Sequence, residues 1–170
     1  ADTWLSSEPM YLTDMDRCQP DSAISREAEI NHWRRVNYDT DTLSGVMLIA
    51  GEQTAAPDVT YPIDVSGWHA ISVGMMPHYS GPSELLIRTS GSDAFTALKA
   101  AEPGDSSPHE MEIHETFWRI VDLTGQDLVL GQVQYQLSDH VPGSRVSNES
   151  QVVFIKLVPL TDDEVARLLA

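Results

Sequence analysis

The spacing of apolar positions divides the chain near residue 45. Before it no period is sustained, and "ADTWLSSEPMYLTDMDRCQP" reads as an irregular arm wrapped on a core. Residues 22–36, "SAISREAEINHWRRV", admit a helix with Asp21 or Ser22 as its cap and Ala28, Ile30 and Trp33 turned inward. Beyond residue 45 short apolar or alternating runs take over: "VMLIA", "VTYPIDV", "WHAISVGM", "ELLIRTS", "AFTALKA", "EMEIHETFWRIVDL", "DLVLGQ", "VQYQLS" and "QVVFIKLVPL". Segments rich in Gly, Pro, Ser, Asn and Asp separate these runs, as turns require. The Ser66-Gly67 pair between two of them is expected to close a hairpin. This succession predicts an all-β chain, an antiparallel β-sandwich of jelly-roll type. Near its end, Thr161 and Glu164 stand three apart and predict a capping box opening a short helix. The expected organisation is an N-terminal arm over 1–44, a sandwich over 45–160, and the start of a linker helix, 161–170, leading to a further domain downstream.

Composition narrows the function classes. A chain of 170 residues suits a single core. Its formal charge of −16, from 26 acids against 10 Lys and Arg, offers no basic face for nucleic-acid phosphates or for an anionic membrane. Such a surface suits an extracellular or periplasmic setting. Cys18 is the one cysteine, so neither an internal disulfide nor a cysteine-rich zinc site is available.

The densest cluster of chemistry-bearing side chains is "HEMEIHE", residues 109–115. A metalloprotease helix needs histidines at i and i+4, on one face. His109 and His114 are five apart, about 140° around a helix and on opposite faces of a strand. Read as a strand, the segment puts Met111, Ile113 and Glu115 on a buried face and Glu110, Glu112 and His114 on a polar one; a ligand touching it is expected at Glu112 and His114. No nucleophile elbow, P-loop or dinucleotide fingerprint occurs, so the chain is expected not to be an enzyme by itself. In "NYDTDTLSG", Asp39 and Asp41 are candidate ligands for a structural calcium ion, although the loop lacks the EF-hand spacing.

Sugar rings stack their C–H faces on exposed aromatics while charged and amide groups bond their hydroxyls. Trp33 beside Arg34, and His78 with Tyr79 in the surface loop "PHYSGPS", are the candidates of that kind. Trp68 and Trp118, within strand patterns, are expected in the core.

The segments "APDVTYPIDVSGWHAISVGM", "FWRIVDLTGQDLVL" and "VVFIKLVPLTDDEVARLL" give the chain, over about residues 45–165, a pattern of strands, turns and following helix. It resembles the non-catalytic β-sandwich accessory domains of large bacterial carbohydrate-active enzymes. The resemblance implies a carbohydrate-binding module that tethers a polysaccharide or oligosaccharide near a downstream catalytic domain in the same chain. The alternative is a structural module, without ligand, that packs on a neighbouring domain or a second copy. No family ligand motif maps onto these positions, so the candidate contacts remain Trp33, Arg34, His78, Tyr79, Glu112 and His114.

Overall fold

Alternation with both faces apolar sets the first sheet. The computed structural model describes residues 7–25, 32–50, 56–76, 84–98, 113–133 and 150–169. In it, Trp33–Asp39 and Ser44–Ala50 pair as antiparallel strands over their full length, Trp33 opposite Ala50 and Asp39 opposite Ser44. Trp33, Leu48 and Ala50 enter one apolar cluster, whereas Val36, Tyr38, Met47 and Ile49 enter a second on the opposite face. A strand buried on both sides has no need of a polar stripe.

This corrects the helix expected over residues 22–36. The described part of that segment holds a single 3-10 turn, Asp21–Ala23, then the two-residue strand Ile24–Ser25 paired in parallel with Trp33 and Arg34. Cross-strand pairing along the whole of Trp33–Asp39 outweighs a weak helical period. The segment expected as an arm to residue 44 thus supplies a full strand.

Numbered along the chain, the strands are β1 (Met10–Leu12), β2 (Ile24–Ser25), β3 (Trp33–Asp39), β4 (Ser44–Ala50), β5 (Val59–Tyr61), β6 (Trp68–Met75), β7 (Glu84–Thr89), β8 (Thr96–Leu98), β9 (His114–Asp122), β10 (Leu128–Val133), β11 (Ser150–Val152) and β12 (Phe154–Pro159). They form three four-stranded sheets, ordered β1-β12-β6-β9, β5-β10-β7-β8 and β11-β4-β3-β2. All pairings but that of β2 with β3 are antiparallel, so the described fold is all-β and sandwich-like. The main core draws on all three sheets, with Leu48, Ile71, Leu85, Ile87, Leu130, Ile155 and Leu157 fully buried.

The Ser-Gly hairpin does not form. Pro62, which has no N–H to offer a ladder, follows the last residue of β5, and β5 pairs with β10 while β6 pairs with β12 and β9. Gly67, at φ 92°, instead turns the chain from one sheet to the other, its carbonyl accepting from Leu123 N–H.

Two irregularities shape the sheet β1-β12-β6-β9. Between β11 and β12 the chain changes sheets at Val153, whose N–H donates to the Gly74 carbonyl at 2.9 Å. In β9 the register against β6 shifts between Ile71 and Ser72, leaving Trp118 as a bulge. The bulge reverses the alternation, so Trp118 and Val121, three apart, both pack on the main core. Thr161 caps α1 (Asp162–Leu168) in the expected capping box with Glu164. No described helix is long and apolar enough to cross a membrane.

The N-terminal arm is fastened by polar contacts over buried anchors. Met15 and Cys18 are fully buried. Around them Asp16 pairs with Arg35 at 3.2 Å, Tyr61 Oη donates to Asp14 at 2.5 Å, and Gln19 exchanges backbone hydrogen bonds with Thr60. Burial, with Asp14 and Asp16 adding to it, pushes the Cys18 thiol up to about 12. Burial also raises the hydroxyls of Tyr38 and Tyr61, the latter helped by its bond to Asp14. A group whose folded pKa is raised contributes stability below its unfolded pKa and loses it as pH rises toward the folded value. Urea unfolding is therefore expected to show a stability loss attributable to Cys18 of about 1–2 kcal/mol between about pH 8 and about pH 10. Cys18→Ala should lose less over the same interval; equal losses would contradict this account.

Candidate functional site

The sheet β1-β12-β6-β9 turns Ile71, Val73, Ile155 and Leu157 to the main core, so the residues between them face outward. Register aligns Tyr11, Lys156, Ser72 and Phe117 in one row across the four strands. The next row holds Phe154, Gly74 and Glu115. Gly74 is required here: a Cβ would overlap the Phe154 ring, which lies across the glycine and joins the second apolar cluster.

Tyr11 leans over this surface. Its ring meets Phe154 edge-on, with centroids 5.3 Å apart at 70°, and its hydroxyl donates to Glu115 Oε1 at 3.3 Å. Lys156 Nζ donates to the other carboxylate oxygen at 3.1 Å and lies 6.0 Å from the Tyr11 ring centroid. The Lys156 side chain is only 11% exposed, whereas that of Glu115 is 37% exposed. The ion pair therefore roots an accessible carboxylate on a nearly buried ammonium. Beside it Phe117 stands 57% exposed, the most exposed large apolar side chain among the described residues.

A groove of about 270 Å³ opens between this cluster and the β3–β4 turn. Tyr11, Glu115, Phe154, Ile113, Thr40, Thr42 and Leu43 line it. The turn is held by Thr40, whose hydroxyl donates to the Leu43 carbonyl at 2.8 Å and accepts from its N–H at 2.9 Å. The turn of "NYDTDTLSG" and the described end of "HEMEIHE", at Ile113 and Glu115, thus meet at one groove, through the neighbours of the residues expected there. Its walls combine aromatic and aliphatic surface with a carboxylate and hydroxyls, a lining for a ligand with apolar faces and a hydroxylated rim.

The placement of the expected residues differs from the sequence reading. Trp33, expected as a sugar contact, is fully buried in the main core, its indole N–H donating to the Pro57 carbonyl at 2.8 Å; no ring face is left for a ligand. Arg34 is half-buried on β3, opposite Ile49, away from the groove lining. His114 pairs with buried Met75, so its row faces the core, and the outward carboxylate is Glu115. The parity expected for that strand holds, but the face meeting solvent carries Glu115 and Phe117. Asp39 and Asp41 are exposed at the end of β3 and in the turn; among the described residues no group of three potential metal-ligating side chains occurs. His78, Tyr79 and Glu112 lie outside the described residues. Tyr11, Phe117, Phe154 and Lys156 were not singled out by sequence. The adjacent aromatics Phe117 and Trp118 carried a usable signal, because neighbours on a strand point to opposite faces.

Removing one partner of a nearly buried ion pair leaves the other charge poorly solvated. Glu115→Gln is expected to destabilise the fold by about 1–2 kcal/mol in chemical denaturation, between the costs of exposed and buried pairs. Adding Lys156→Met should recover most of that loss; additive losses would show that the pair is not coupled. No model of a known protein family matches the chain, and no curated protein is similar to it at a significant level.

Proposed function

We propose that this is a carbohydrate-binding accessory module of jelly-roll type, holding a polysaccharide close to a catalytic domain of the same chain. The observation that carries the reading is the exposed Phe117 ring beside a groove of mixed apolar and hydroxyl-bearing walls. An aromatic face takes the C–H side of a sugar ring, and Glu115, Thr42 and the Tyr11 hydroxyl are within reach of ring hydroxyls. Tethering raises the local concentration of substrate at a linked active site without any chemistry in the module itself.

Binding is favoured over hydrolysis by the carboxylates. Glycoside cleavage uses a pair flanking the scissile bond, and among the described residues Glu115 is the one carboxylate in the groove lining, with both oxygens already engaged. A second reading draws on the same exposed ring: Phe117, 57% exposed, offers an apolar contact to a neighbouring domain or another copy.

Affinity electrophoresis against a polysaccharide panel separates the two. Retardation on at least one polysaccharide is expected, with Phe117→Ala weakening it about tenfold, equivalent to roughly 1.4 kcal/mol. No retardation on any gel, together with self-association in sedimentation velocity that Phe117→Ala abolishes, would replace the carbohydrate reading with the packing one.

A further inference from the structure

We infer that the ligand of this groove is an uncharged glycan chain, seated with one ring in the groove and the next ring over Phe117. The inference rests on the carbohydrate reading above and specifies its ligand class.

The first argument is charge. Lys156 is the cation beneath the groove, and its ammonium is bonded to Glu115 at 3.1 Å under the Tyr11 ring. Arg119, the next cation along β9, is exposed but stands in the row of core-facing Ile71, off the outward row of Phe117, its guanidinium 5.6 Å from the Trp118 ring centroid. The exposed carboxylate is Glu115, and the turn forming the opposite wall carries exposed Asp39 and Asp41 on a chain of net charge −16. A uronate or sulfate ester entering here meets carboxylates ahead of any cation, a repulsive approach. Hydroxyls of a neutral sugar are suited to the same carboxylate, which accepts their hydrogen bonds.

The second argument is size and direction. At about 270 Å³ the groove falls just short of the roughly 300–1,000 Å³ of sites for drug-sized ligands, so it accommodates one ring and not a chain. Phe117 lies two residues along β9 from Glu115 on the same outward face, roughly 7 Å away along the strand. The next unit of a chain leaving the groove in that direction passes over the exposed ring.

Affinity gels tests this with named probes: hydroxyethylcellulose, xyloglucan, galactomannan and laminarin as neutral glycans, and polygalacturonate, alginate and carrageenan as anionic ones. The wild-type domain is expected to be retarded on at least one neutral gel and to run with a non-binding reference protein on every anionic gel. Oligosaccharides of the retarding glycan should compete at least tenfold better than its monosaccharide, and Phe117→Ala should abolish that advantage. Glu115→Gln, which removes the carboxylate that repels anions, should acquire retardation on an anionic gel. Retardation of the wild type on anionic gels alone, or equal competition by monosaccharide and oligosaccharide, overturns this inference while leaving carbohydrate binding intact. Retardation on no gel removes both.

Discussion

The sheet-switching step at Val153 is the constraint on which the rest of the architecture hangs. One continuous stretch of chain supplies β11 to the sheet containing β3 and β4, and β12 to the sheet containing β6. The hydrogen bond from Val153 N–H to the Gly74 carbonyl pins the crossing point, and the Phe154 ring settles where Gly74 has no side chain. Two apolar clusters are thereby stitched together: Ile155 and Leu157 continue into the main core, while Val153 and Phe154 enter the second with Tyr38, Met47 and Ile49. Interiors packed as tightly as this transmit displacement, so the position of the Phe154 ring and the position of the β3–β4 turn are linked through shared neighbours. The groove lies over that junction, with Phe154 as its floor and the turn as one wall.

The electrostatics follow from the same layout. On an acidic protein, a nearly buried lysine is an uncommon choice, since desolvating an ammonium is unfavourable without a close partner. Here Glu115 and the face of Tyr11 provide that surrounding. The pair orients the carboxylate of Glu115 through both of its oxygens, so the groove wall presents a fixed acceptor and not a freely rotating side chain. The arm carries a second polar group at Asp14, Asp16, Arg35 and Tyr61, which closes over Met15 and Cys18.

Legibility in the sequence tracked the range of the forces involved. Strand β6 was readable from "WHAISVGM", and α1 from Thr161 and Glu164, because apolar run length and capping chemistry are local. Strand β3 was not, because its apolar residues Trp33, Val36 and Tyr38 fall on both faces and so break the alternation by which strands are recognised, and its pairing with β4 holds it extended. The Ser66-Gly67 pair looked like a hairpin because turn residues report a bend and not which strands it joins. The groove was half visible: "HEMEIHE" ends in the strand that supplies Glu115, residues 109–112 lie outside the described residues, and the described end has its faces reversed from the expectation. Which parity faced outward depended on β6 and on the aromatic residues of β1 and β12, and no local pattern names those partners.

Tyr11 and Glu115, which touch across the groove, are separated by 104 residues, and β1 takes its place by pairing with β12, far along the sequence. Contacts of such high sequence separation must overcome a large loop-closure entropy and slow the folding of β proteins. The groove is therefore a late product of folding on this topology: strand pairs such as β3–β4 can close while the chain is still incomplete, but the wall formed by Tyr11 has nothing to dock on until β12 is in the sheet. The completed groove is a signature of the fully closed fold.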